Sequence, residues 1–246
     1  GVDGATDVIV DNITSVNVSM MDITLSTMSV DNLVNNSEIS DWLSIGPGSD
    51  IMVTYSSMDT LNISNVDFLN ARHLDINTTA VLNTVYGNYF RYNDISDTNV
   101  TAYNFTNVDY MSIRSNVLRR NAGGLLLQGD SDSNRVTENW FEDNGYGLYV
   151  RDSDANNITD NYFENTENAD DTGSNNWDRF RVICTEGPNI VGGPCKGGNF
   201  YSDYYGLDTG AGLSLEGDGV GDQPGFYDVD SNTKDYYPLV LYVSRV

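Results

Sequence analysis

Apolar and polar positions alternate through the first sixty or so residues. Val, Ile, Leu and Met take every second place among Asn, Asp, Ser and Thr, most clearly in 7–11, 13–18 and 28–33. A period of two puts successive side chains on opposite faces of an extended chain, so these stretches predict short strands bounded by polar turns. No window of a dozen residues holds a 3.6 period, and helix is expected to be scarce.

From residue 60 a register emerges. Ile63, Val66 and Phe68 are followed by Val85, Asn88 and Phe90, then by Ile113, Asn116 and Leu118. Val136, Asn139 and Phe141 come next, and Ile158, Asn161 and Phe163 close the series, with steps of 22, 28, 23 and 22 residues. Each unit carries a second apolar run, clearest at Gly124–Gln128 and Gly147–Arg151. Short strands at a period of 22–23 without helix predict an all-β fold, a right-handed single-stranded parallel β-helix. The Leu-x-x-Leu-x-Leu frame of a leucine-rich horseshoe is absent, and a β-sandwich would not keep a fixed register. The 28-residue step predicts about six extra residues near Asp94–Tyr103, a loop leaving the coil. Asn88, Asn116, Asn139 and Asn161 are expected to form a turn ladder. Phe90, Leu118, Phe141 and Phe163 are expected to form a core stack. The coils should span 1–183, clearest over 60–165, and 184–246 should form an atypical C-terminal cap.

Charge narrows the partners. With 36 acidic and 12 basic residues among 246, the formal charge is −24. Such a surface argues against nucleic acid and anionic lipid and favours metal cations, high salt or a cationic partner. There are two lysines, Lys196 and Lys234, and one histidine, His73, so a multi-His zinc site within one chain is excluded. No run of 18 apolar residues spans a bilayer. The start at Gly1, without Met or signal peptide, suggests a processed or trimmed product.

Cys184 and Cys195 lie eleven apart across a turn-rich loop. The expectation is a disulfide stabilising that loop by roughly 2–3 kcal/mol; neither a CxxC spacing nor a nearby His supports a copper or redox pair. Asn12, Asn17, Asn35, Asn62, Asn77, Asn99, Asn104 and Asn157 head Asn-x-Ser/Thr sequons and are candidate glycan acceptors on an exported protein.

One step past the aromatic stack the register reads Arg91, Arg119, Glu142 and Glu164, with Arg120 adjoining. Coils about 4.8 Å apart would bring Arg119 to Glu142 and Glu142 to Glu164. Arginines there can hold an acidic sugar while Glu142 and Glu164 serve as acid and base. The competing reading is a solvated edge whose charges compensate each other. Asp130 with Asp152, and Asp132 with Asp154, form a similar ladder at turns, read as solvated turn residues or a weak Ca²⁺ position.

After Phe163 the pattern frays through an acidic loop, and past residue 189 the chain changes character. Gly217, Gly219 and Gly221 alternate with Glu216, Asp218 and Asp222, with Asp208 nearby. Glycines let a backbone fold tightly round a hard cation, so these four carboxylates are candidate Ca²⁺ ligands, although the bidentate Glu of an EF-hand is missing. Eight aromatics between Phe200 and Tyr237 are expected chiefly to seal the end of the core, with sugar stacking as the alternative.

The order of 189–204 (Asn-Ile-Val-Gly-Gly-Pro-Cys-Lys-Gly-Gly-Asn-Phe-Tyr-Ser-Asp-Tyr), then Gly217–Asp222, then Asp235-Tyr-Tyr-Pro-Leu239, resembles the ending of archaeal cell-surface β-helix proteins. It is similar to the wider family of periplasmic copper-binding and carbohydrate-binding/sugar-hydrolase (CASH) repeat domains. The resemblance implies an exported β-helix, often part of larger surface assemblies, with relatives that bind or cut polysaccharide or assist copper delivery. One His, the lack of a Met or Cys cluster, and few Lys and Arg depart from the copper and lyase patterns. The functional expectation is an extracellular structural or interaction protein of a cell surface, self-assembling or joined to other surface proteins and aided by divalent cations. The alternative is a polysaccharide lyase, glycoside hydrolase or glycan-binding β-helix.

Overall fold

The computed structural model describes residues 9–11, 21–23, 32–35, 38–39, 42–178, 187–210 and 216–241. The chain is an all-β, right-handed parallel β-solenoid of about six turns with a distinct C-terminal region. No helix occurs among the described residues.

Each coil contributes to three parallel sheets. One coil runs through Thr101–Asp109 in the first sheet, Ser112–Arg114 in the second and Val117–Arg119 in the third. It returns to the first at Gly123–Gln128. Earlier coils round the corners without a break: Ser57–Arg72 is one bent strand serving all three sheets. Alternation turns one side chain in two inward, as expected for strands with one buried face. In the first sheet Leu43, Leu61, Ala80, Tyr103, Leu125, Leu148 and Ala169 stack in register. Val34, Val53, Ala71, Phe90, Ile113, Val136 and Ile158 stack in the second. The third carries Ile95, Leu118, Phe141, Phe163 and Tyr201. Close approach is needed where the first sheet begins. A Cβ on Gly124 would lie 2.7 Å from the Phe141 ring, and one on Gly147 2.8 Å from that of Phe163.

Three expectations are corrected. Phe90 pairs with Ile113, 23 residues on, and belongs to the second sheet rather than the Leu118 stack, where Ile95 stands instead. The step of 28 was two different corners matched to each other. Pairing keeps a step of 23 from Leu82 to Phe105 and from Ile95 to Leu118, so no six-residue loop leaves the coil near Asp94–Tyr103. Likewise Asn93, not Asn88, heads the asparagine ladder. Its backbone N–H donates to Asn116 Oδ1, Asn116 to Asn139, Asn139 to Asn161 and Asn161 to Asn199, at 3.0–3.1 Å. The side-chain amides of Asn116, Asn139 and Asn161 donate back to carbonyls of the preceding coil. Each of these three buried amides is thus satisfied on both sides, as burial demands. The other corners carry ladders of their own: Thr98, Asn121, Asn144 and Asn165, and Met111, Asn134, Asn156 and Asn175.

The expected Cys184–Cys195 disulfide falls on Cys184, which lies outside the described residues; no free cysteine occurs among the described residues. Beside Cys195, Asn189 Nδ2 donates to the Cys195 carbonyl (2.8 Å), and its Oδ1 accepts from Gly193 N (2.8 Å).

The C-terminal region first continues the solenoid. Phe200–Tyr201 pairs with Tyr162–Phe163, Tyr201 stacks on Phe163, and Tyr227 stacks on Tyr201 at 3.6 Å. Asp235, wholly buried, accepts from Asn199 N (2.6 Å) and Tyr237 N (2.9 Å) and so ties the later chain to the end of the ladder. Tyr204 packs on the same core, whereas Tyr205 and Tyr236 are exposed.

Candidate functional site

The charged edge read from the register forms in part. Arg119, Glu142 and Glu164 do share a register position on successive coils of the third sheet. The arginines, however, turn towards earlier acids. Arg119 lies 3.5 Å from Asp94, and Arg120 makes a two-pronged pair with Asp97 at 2.6 and 2.8 Å. That hydrogen-bonded guanidinium holds the Asp97 carboxyl below its usual range and raises Arg120. Glu164 accepts from the Tyr162 hydroxyl at 2.5 Å. Arg91 is on the second sheet, paired with Arg114.

The candidate cation ligands serve the backbone. Asp208 accepts from Gly217 N and Gly219 N, both at 2.8 Å. Asp222 accepts from Thr209 N and Gly210 N at 2.6 Å, and Asp218 from Val220 N at 2.9 Å. Glu216 is exposed. Among the described residues no group of three or more His, Cys, Asp or Glu is gathered as a metal site. Asp132 and Asp154 likewise accept backbone N–H groups from the next coil, at 2.6 and 2.7 Å, while Asp130 and Asp152 are exposed at a turn. Of the sequon asparagines, Asn62, Asn77, Asn99 and Asn157 are exposed and Asn35 and Asn104 half-buried; Asn12 and Asn17 lie outside the described residues.

The stronger site lies at the corner between the second and third sheets. The corner residue of each coil has φ between 49° and 60°: Tyr55, His73, Tyr92, Ser115, Glu138 and Asp160. This left-handed conformation throws the side chain outward from the turn. At Glu138 and Asp160 the column borders a cleft of about 450 Å³, whose far wall is Pro188, Asn189, Ile190 and Lys196. Lys196 Nζ sits 3.1 Å from Glu138 Oε1 and 3.3 Å from Asp160 Oδ2. Glu138 also receives Arg114 through Nε and Nη2 at 2.8 and 2.9 Å. Ile190 N donates to Asp160 Oδ1 (2.8 Å), drawing the C-terminal loop over the coil.

The two carboxyls are pushed apart in acidity. Burial raises Asp160, only partly offset by the Ile190 N–H and Lys196. Burial acts upward on Glu138 too, but the bonds from Arg114 and Lys196 outweigh it and hold that group low. On the third-sheet side Trp140 is 38% exposed and stacks on Tyr162 at 4.2 Å, which stacks in turn on Phe200 at 4.8 Å. The ring is thus a rigid platform beside convergent charged groups, with Val117 and Ile190 as apolar wall. Carboxylates bound to a common ammonium are fixed hydrogen-bond acceptors. This arrangement suits holding a polyhydroxylated ligand better than passing a proton to it. Sequence reasoning missed the cleft, although Glu138-Asn139 and Asp160-Asn161 put an acid before the ladder Asn in two successive units.

Fold and cleft define a class: a right-handed parallel β-solenoid with a ligand-sized recess on one corner. The profile of the family described as periplasmic copper-binding protein (NosD) matches residues 51–206, and the chain belongs to that family. No match was found among curated proteins or among solved structures.

The family's printed description raises copper, for which His, Met and Cys are the soft or borderline donors. Here the single His73 ring is packed between those of Tyr55 and Tyr92, at 4.7 and 5.1 Å. Met52 is exposed and Met58 and Met111 are in the core, and no group of three or more His, Cys, Asp or Glu is gathered among the described residues. The described residues do not fit a copper centre. No described helix is long and apolar enough to cross a membrane.

Proposed function

We propose that this chain is a carbohydrate-binding solenoid acting outside the cytoplasm, and that the Trp140–Lys196 cleft holds the sugar. The observation that carries the reading is the half-exposed, stacked Trp140 ring beside Glu138, Asp160 and Lys196. Sugars present apolar ring faces and hydroxyls together, and this lining offers a matching aromatic face and fixed polar partners. The location outside the cytoplasm rests on the family's periplasmic description. We place the role at a cell surface, as a binding or structural subunit rather than a hydrolase. Calcium held by Asp208, Glu216, Asp218 and Asp222 belongs to the same proposal, as a stabiliser of the C-terminal region.

Electrophoretic retardation in gels carrying different soluble polysaccharides tests the reading. At least one polysaccharide should slow the wild-type protein. Trp140→Ala should weaken that interaction about tenfold, equivalent to ~1.4 kcal/mol. Equal retardation of variant and wild type would remove the cleft from the account.

A further inference from the structure

A second surface adjoins the cleft and has the opposite electrostatic character to the rest of the molecule. Arg72, Arg91 and Arg114 occupy one register position on three successive coils of the second sheet. Arg135 projects from the next coil, in register with Ser112 and Tyr89. Four of the chain's ten arginines therefore leave one narrow sheet of a protein carrying −24. Arg114 is neutralised by Glu138. Among the described residues Arg72 and Arg91 make no ion pair, and the Nε of each is buried without a hydrogen-bond partner.

Like charges on adjacent strands, about 4.8 Å apart, repel each other. They are also held in place. The Arg91 guanidinium lies 4.5 Å from the Tyr89 ring centroid and 5.7 Å from that of Tyr92. Beside the arginines runs the corner column, in which Tyr55, His73 and Tyr92 stack nearly parallel, with interplanar angles of 4° and 12°. All three rings are exposed, and the same column continues through Ser115 to Glu138 and Asp160 in the cleft. Guanidinium groups without a carboxylate partner among the described residues, beside a ladder of exposed rings and like it repeating once per coil, match a ligand with an anionic group and an apolar ring face in each repeat.

We propose that Arg72 and Arg91, with the Tyr55–His73–Tyr92 stack, bind an acidic polysaccharide running along the solenoid axis. Its carboxylates or sulfates sit over the guanidinium groups, and its far end reaches the Trp140 cleft. This rests on the carbohydrate reading above and adds the class of glycan and its direction on the surface.

The test is a calorimetric titration of the full chain with three probes of matched length, a polyuronate, a sulfated glucan and a neutral glucan, at several salt concentrations. Wild type should bind at least one anionic probe more tightly than the neutral one, and the preferred probe identifies the anionic group. Arg72→Gln with Arg91→Gln should weaken that binding about tenfold and flatten the slope of log affinity against log salt by roughly one to two. Arg91→Lys keeps charge but not the planar fork, and should recover only part of the loss. Melting temperatures of these variants should move little, because relief of the mutual repulsion offsets the lost ring contacts of Arg91; loss of binding in a folded variant then reports contact.

Undiminished anionic binding by the double variant, or equal wild-type affinity for the neutral probe, overturns the proposal. So does tighter binding of a single-stranded oligonucleotide at the same salt. Trp140→Ala separates the two readings. If the arginine variants lose binding and Trp140→Ala does not, the strip stands and the cleft fails; the reverse pattern sinks the strip alone.

Discussion

Single residues settle most of what is unusual here, and the ladder asparagines come first. Asn139 is fully buried, accepts two N–H groups of Asn116 and donates to Ile113 O and Asn161 Oδ1. Replacing it with Ala orphans groups on both neighbouring coils, so Asn139→Ala should cost about 1–3 kcal/mol in chemical denaturation. Asn116, Asn139 and Asn161 were legible in the sequence because the coil length is constant around them. Asn88 was misplaced because all three corners use Asn, and a spacing pattern cannot tell one corner from another. Glu138 and Asp160 were illegible as a pair because their partner, Lys196, comes from a loop far along the chain.

Asp235 carries the clearest pH dependence. Burial lifts it to about 7 despite backbone N–H bonds from Asn199 and Tyr237 that act the other way. Its unfolded value is about 3.9, so the folded chain keeps a proton that the unfolded chain releases across that interval. Its stabilising contribution is complete below about pH 4 and is lost as pH rises through about 7. Thermal melts should therefore show the C-terminal region more stable at pH 5 than at pH 8. Asp235→Asn should flatten that difference, even if it lowers the pH 5 value by removing an acceptor. A wild-type melt that rises from pH 5 to 8, with the variant rising in parallel, would contradict this role.

Among the elements, the third sheet links core to site. Ile95, Leu118, Phe141, Phe163 and Tyr201 stack inside it, while Trp140 and Tyr162 leave its outer face. Phe141 meets Phe163 at 4.9 Å with rings 6° from parallel. Phe141→Ala should cost about 3–5 kcal/mol, the usual range for a large core ring. Because Phe141 is next to Trp140, it should also weaken glycan binding. The alternating pattern made strands, their inward rows and the scarcity of helix among the described residues legible, since each depends only on neighbours in sequence. Pairing between coils depends on the choice of corner, so a single misassigned Phe90 created a loop that the structure lacks. The expectation that the cap's aromatics chiefly seal the core holds for some of them. Tyr201 and Tyr227 lie on the core end, but Tyr205 and Tyr236 face solvent.

For the whole molecule, the net charge of −24 gave a misleading picture of the binding surface. Acids dominate the turns, where many accept backbone N–H groups, and the second sheet gathers arginines that the total conceals. Net charge describes the long-range field, while recognition depends on local groups. The rigid stack makes the cleft and the arginine strip parts of one continuous flank, so a long ligand can engage both. Chelation by EDTA followed by calcium addition, monitored by thermal melting, should move only the C-terminal transition if residues 208–222 hold the cation. An unchanged melt would remove calcium from the proposal.

The most direct test of carbohydrate binding at the cleft is an NMR titration that follows the indole N–H resonances of the chain's three tryptophans, Trp42, Trp140 and Trp177. With an oligosaccharide cut from the best-retarding polysaccharide, the Trp140 signal should shift in proportion to saturation, while that of buried Trp177 stays fixed. A saturable shift at Trp42 or Trp177 with none at Trp140 would contradict the account.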